Sequence, residues 1–250
     1  MNGQAGLRLC YQDAEIVVVD KPGGLLAVPG RGPDHQDSVV SRIRALFPEC
    51  IAQPAVHRLD MDTSGLMVLG LTRGAHARLS RQFATRRVEK GYLALLEGTV
   101  VGCAGEIALR FRLDPENRPF QVYDPVQGKE GISRWRTLEL RNDRTLVAFA
   151  PLTGRTHQLR LHASHPLGLG CPIVGDRLYG MGRPGEQLLL HSALLRFAHP
   201  TTGQRLIFSS TPDFAGAGLP PWDATDGPDG TGFPGQSVAE PCRAAPGRGR

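Results

Sequence analysis

Four consecutive β-branched residues, Ile16 to Val19, run up to Lys21-Pro22-Gly23-Gly24, a pattern that predicts a strand ending in a turn. A second short strand is expected at 25–28. Val39, Ile43 and Leu46 recur at spacings of four and three, which predicts a helix capped by Asp37 or Ser38 and stopped by Pro48. Residues 66–71 again read as a strand. Ala75, Leu79 and Phe83 lie four apart with arginines between them, the mark of an amphipathic helix with a basic outer face. Residues 92–96 return as a strand after Lys90-Gly91, and further strands are expected at 107–109, 133–140, 145–150, 188–197 and 205–209. Strands outnumber helices and do not alternate with them. The predicted fold class is therefore α+β, with a mixed, mainly antiparallel sheet flanked by helices and loops.

The pattern stops after Phe214. Residues 215–250 are rich in Gly and Pro and have few periodic apolar positions, so they cannot bury enough surface to offset their ordering entropy. The expected organisation is a domain over 1–214 and a disordered tail over 215–250. Composition favours an inert extension over an RNA contact through the terminal RAAPGRGR. The N-terminal MNGQAGLRLC lacks the features of a secretory signal, and no stretch approaches the roughly 20 apolar residues of a membrane span. The expectation is a soluble, cytoplasmic protein without a membrane partner, and a monomer. Five scattered cysteines without a CxxC pair indicate neither a disulfide framework nor a cysteine-rich zinc site.

Charge adds a partner class. The net charge is +5, and arginines cluster in RLSRQFATRR (78–87), RWRTLELRNDR (134–144) and TGRTHQLRLH (153–162). Such clusters suit a polyanion such as nucleic acid, and equally a solvated basic surface.

The densest chemistry lies in HRLDMDTSG, residues 57–65. Asp60 and Asp62 could share a hard cation, but the apolar run follows the pair instead of preceding it. Both GxxxxGK[ST] and HExxH are missing from the chain. His157 and His162 stand five apart, on different faces of any helix there, so a structural role is expected for both and no metal site is indicated. Asp60 alone is equally compatible with a loop salt bridge to Arg58 and with a catalytic carboxylate kept ionised by arginines.

The residues carry a resemblance as well. HRLDMDTSGLMVL resembles the HRLDxxTSG signature of the RluA-type pseudouridine synthases. VVVDKPGGLLAVPG, LSRQFATRRVEKGYLALLEG, PLTGRTHQLRLH, and GCPIVGDRLYG with LLLHSALLRFAHP resemble further motifs of that family, in order, from about Tyr11 to Phe214. The resemblance implies isomerisation of uridine to pseudouridine in RNA without metal, nucleotide cofactor or energy source. It places the essential aspartate on Asp60 and the base-stacking tyrosine of KxY on Tyr92. It places on Arg155 an arginine that pairs with Asp60. More loosely, it implies RNA contacts for Arg58 and His57, and a uracil-packing role for Leu190, with Leu189 as the alternative. No chemistry is carried to Asp62. The short N-terminus leaves no room for an S4-like domain, and the resemblance is strongest to compact members. As targets it implies a stem-loop of 23S rRNA, the anticodon stem-loop of tRNA, or both. A non-catalytic RNA-binding or ribosome-assembly factor on the same fold is the competing expectation.

Overall fold

A computed structural model describes residues 7–216; the expected tail, apart from residues 215 and 216, lies outside the described residues. In chain order its elements begin with β1 (Arg8–Gln12), β2 (Ile16–Lys21), α1 (Val39–Leu46), β3 (Ser64–Gly70), α2 (Arg73–Ala84) and β4 (Glu89–Glu97). They continue with β5 (Ala104–Leu113), β6 (Gln121–Tyr123), β7 (Lys129–Arg141), β8 (Arg144–Pro151), α3 (Gln158–Ser164), β9 (Leu190–Ala198) and β10 (Arg205–Ser209). The strands form one sheet in the order β1-β2-β3-β9-β4-β8-β7-β5-β6, with β10 also paired to β9.

All strand pairs are antiparallel except β3 with β9, which meet at Ser64↔His191 and Gly65↔Ser192. This short parallel contact joins the two halves of the sheet, and it depends on Gly65. At φ +108, a Cβ on that residue would lie 2.4 Å from the Ser192 carbonyl oxygen. A strand of ordinary residues could not approach so closely.

The apolar runs of β2 and β3 are continuous because both faces of the sheet are covered. Val17, Val19, Met67 and Leu69 pack on one face with Val39, Val40 and Ile43 of α1. Ile16, Val18, Leu66 and Val68 pack on the other with Ala75 and Leu79 of α2. Each such side chain is worth about 1.5–3 kcal/mol when fully buried. α1 starts as the sequence suggests: Ser38 accepts from Ser41 N, and the Ser41 hydroxyl reciprocates toward the Ser38 backbone.

Three departures have physical reasons. Residues 25–28 form only an isolated bridge, Leu26↔Ser38, because this segment is bent around Lys21, which hydrogen-bonds to the Leu25 carbonyl. β1 and β6 carry no clear alternation and are held by their neighbours β2 and β5. α3 has only seven residues, six of them buried and three of those polar, so it has no exposed polar face to produce an apolar helical period.

Candidate active site

The loop carrying Asp60 enters the central parallel contact, and a buried cation fixes it. Lys21 is fully buried at the end of β2. Its Nζ donates to the carbonyls of Pro22 (3.0 Å), Leu25 (2.7 Å) and Met61 (2.7 Å). Burial pulls its pKa down to about 8, opposed by the charges of Asp62 and Asp60. Gly24 N also donates to the Met61 carbonyl at 2.9 Å, and Thr63 N to that of Asp60 at 3.2 Å. The Lys-Pro-Gly-Gly turn is thus the platform under the aspartate loop. Sequence reasoning assigns it only a turn, since the partner carbonyl is 40 residues away.

Behind the loop, His57 accepts a hydrogen bond at Nε2 from Val68 N at 3.1 Å and stacks on Phe83 with ring centroids 4.4 Å apart. Burial and the Lys90 ammonium hold its pKa down to about 3, so the ring is neutral. The ring borders the cleft, but its acceptor nitrogen is committed to the fold.

Tyr92, in β4, lines the same cleft. Burial raises its phenol to about 12, with Ser192 acting against the rise and the charge of Asp60 adding to it. Across the cleft, α3 opens at His157, whose backbone is left-handed at φ 55. His157 Nδ1 and the Tyr179 hydroxyl are 2.7 Å apart, and that hydroxyl accepts from Gln121 N at 2.8 Å. Burial lowers the His157 pKa, and the nearby charge of Asp60 opposes that.

The arginine that feels the charge of Asp60 is Arg160. The expected pair between Asp60 and Arg155 is not formed: Arg155 is exposed at the cleft rim, and its Nε donates to the Glu130 carbonyl at 3.1 Å. Arg160 is 3% exposed, and the charge of Asp60 helps stabilise its guanidinium. Asp176 grips it through two bonds, Nε to Oδ2 at 2.8 Å and NH2 to Oδ1 at 2.6 Å. The Tyr179 ring centroid lies 5.3 Å from its guanidinium carbon. Both arginines stand in TGRTHQLR, five residues apart. Their exchange follows from α3: its first turns bury Arg160 toward the cleft floor, while Arg155 remains on the preceding turn. The sequence offers no local sign that Arg160 and Tyr179 join this cluster, and it gives His157 only the structural role that its bond to Tyr179 fits.

The other candidates divide by position. Leu190 is buried at the start of β9 and lines the cleft, whereas Leu189 is not among its lining residues. Arg58 is exposed at the rim. Asp62 turns away and takes Arg177 NH2 at 3.2 Å, so the two carboxylates of HRLDMDTSG do not form a paired site. The cleft, about 900 Å³, sets Arg58, Arg86, Lys90, Arg155, Arg160 and Arg196 against only Asp60 and Glu89. That balance suits an anionic substrate, and Asp60 shares the cleft with the Tyr92 ring and the Leu190 side chain.

The family described as RNA pseudouridylate synthase matches residues 15–165. The chain belongs to the RluA-type RNA pseudouridine synthases, isomerases that convert uridine in RNA to pseudouridine. It is 42% identical over 212 residues to the dual-specificity RNA pseudouridine synthase RluA of Haemophilus influenzae, covering 83% of this chain and 94% of that protein. It is 41% identical over 212 residues to RluA of Escherichia coli, with the same coverage. Among solved structures, human RNA pseudouridylate synthase domain containing 1 superposes with a TM-score of 0.68 at 30% identity, over 86% of this chain and 87% of that one.

Proposed function

We propose that the enzyme isomerises a uridine flipped out of a structured stem-loop, with Asp60 as its essential carboxylate. The targets are a stem-loop of 23S rRNA, the anticodon arm of tRNA, or both, in keeping with the dual specificity for which its relatives are named. The protein acts as a cytoplasmic monomer without cofactor.

The isomerisation conserves atoms. The bond from ribose to N1 breaks, the base turns, the ribose joins C5, the C5 proton leaves, and N1 gains one. Asp60 works in the same cleft as Arg160, whose orientation Asp176 fixes. Tyr92, protonated at neutral pH, stacks on the base and offers its hydroxyl during the proton transfers at C5. Leu190 packs against the uracil, and Arg58 fills the place it leaves in the RNA. His57 and Lys21 are positioning residues that hold the Asp60 loop. Extruding the base costs about a few kcal/mol, which phosphate contacts from the basic rim offset.

The observation that carries this reading is that Asp60, Tyr92 and the buried Arg160 line one arginine-rimmed cleft. Mapping pseudouridine in rRNA and tRNA with wild-type protein, Asp60→Asn and Asp62→Ala tests it. Asp60→Asn should abolish product at every target while RNA binding persists. Asp62→Ala, which breaks an exposed pair worth about 0–1 kcal/mol, should retain turnover within about tenfold. Product from Asp60→Asn would refute the assignment, and an inactive Asp62→Ala would restore a two-carboxylate site.

A further inference from the structure

A second concave surface lies beside the cleft, bounded by the outer side of α2, the end of β9 and the start of β10. This groove, about 820 Å³, is lined by Arg78, Arg81, Arg87, Arg196 and Arg205 against one carboxylate, Glu89. Its floor is prebuilt. The Gln82 amide donates to the Ala198 carbonyl at 2.7 Å and accepts from Ala198 N at 2.9 Å. Glu89 takes Arg196 and Arg205 at 3.1 Å each. Glu89 and Arg196 line the cleft as well, so groove and cleft are contiguous.

The end of α2 supplies a second observation. Arg86 N donates to the Phe83 carbonyl at 3.2 Å and Arg87 N to that of Gln82 at 2.9 Å, closing the helix as a Schellman motif. The left-handed position of that motif favours glycine, yet Arg86 occupies it at φ 57. The sharp reversal sends consecutive arginines to opposite sides: Arg86 lines the cleft and Arg87 the groove. Strain retained where glycine would relieve it is characteristic of functional surfaces.

We propose that this groove is a second RNA subsite, which takes the phosphate backbone of the stem adjoining the target loop. The inference rests on the proposed stem-loop substrate and extends it. Guanidinium groups match phosphate oxygens in geometry and charge. A paired stem presents phosphates in rows while hiding its base edges in a deep major groove, so contact there is independent of sequence. The cleft then selects the uridine, and the groove sets the distance and angle from which the stem arrives.

The test uses the full chain, an anticodon-arm RNA hairpin, and the same loop sequence without its stem. Binding is titrated across salt concentrations, with pseudouridine formation measured in parallel. The double variant Arg81→Ala/Arg87→Ala should bind the hairpin about tenfold more weakly at physiological salt. The slope of log K against log salt should shrink by about 2, one for each phosphate that no longer has its arginine. KM for the hairpin should rise while kcat holds, and binding of the stemless RNA should not change. Arg73→Ala removes an exposed arginine of α2 outside the groove and should match wild type. An unchanged slope and Kd in the double variant would overturn the subsite, pointing to an anionic protein as its occupant, while leaving pseudouridine formation intact. Equal losses on hairpin and stemless RNA would also overturn it. If wild-type protein forms no pseudouridine in the hairpin yet the stem-dependent loss appears, the subsite stands and the choice of target falls.

Discussion

Asp176→Asn isolates the contribution of the buried pair that orients Arg160. The two side chains are 4% and 0% exposed, and the carboxylate makes four hydrogen bonds: two to Arg160, and two through Oδ1 from Leu178 N (2.9 Å) and Tyr179 N (3.0 Å). Asparagine fills the same volume, so no cavity term enters. It removes the negative charge and turns one acceptor into a donor facing a guanidinium or an amide. Leaving one member of a buried pair uncompensated costs about 3–5 kcal/mol. That is a large part of the roughly 5–15 kcal/mol of a typical fold, and with a urea slope near 2 kcal/mol/M it shifts the midpoint by about 2 M.

Equilibrium unfolding in urea, from pH 7 downward, measures this cost. Its pH dependence has a definite sign. The Arg160 guanidinium and the two backbone N–H groups hold the Asp176 carboxyl below its ordinary value, against the effect of burial. The wild-type advantage is therefore fully present above about pH 4 and disappears as pH falls through the depressed folded value. A loss under about 1 kcal/mol at pH 7, or a difference that already shrinks between pH 7 and pH 5, would refute the account.

Two further substitutions probe the backbone. Gly65→Ala should destabilise by more than about 3 kcal/mol, because its Cβ would overlap the Ser192 carbonyl at the β3–β9 contact; an unchanged thermal midpoint would contradict this. Arg86→Gly should raise stability by about 1 kcal/mol by relieving the left-handed residue, while weakening RNA binding. Calorimetry and RNA titration must show opposite signs, and a variant that loses both stability and affinity would count against strain held for function.

The pattern of apolar positions identifies most of the strands because these are long runs covered on both faces, as in IVVV and LMVLG. It locates α1 and α2 because each has one buried and one exposed side. α3 escapes it, being short and buried almost all round. The same burial hides Arg160, since nothing local to TGRTHQLR distinguishes a rim arginine from one on the floor. Lys21 is hidden for a related reason: three main-chain carbonyls leave no signature in side-chain identity.

Apolar periodicity and ordered motifs are properties of the linear chain, and they suffice for the α+β class and the family, and mark Asp60 and Tyr92 as candidates. The burial of Arg160 in the cleft that holds Asp60, the turn of Asp62 to Arg177, and the parting of Arg86 and Arg87 into two basic surfaces appear only once the chain is folded. Those outcomes depend on how the close approach of β3 and β9 at Gly65 and the burial of α3 bring together charges from distant parts of the chain, and Coulomb energies follow distance in space.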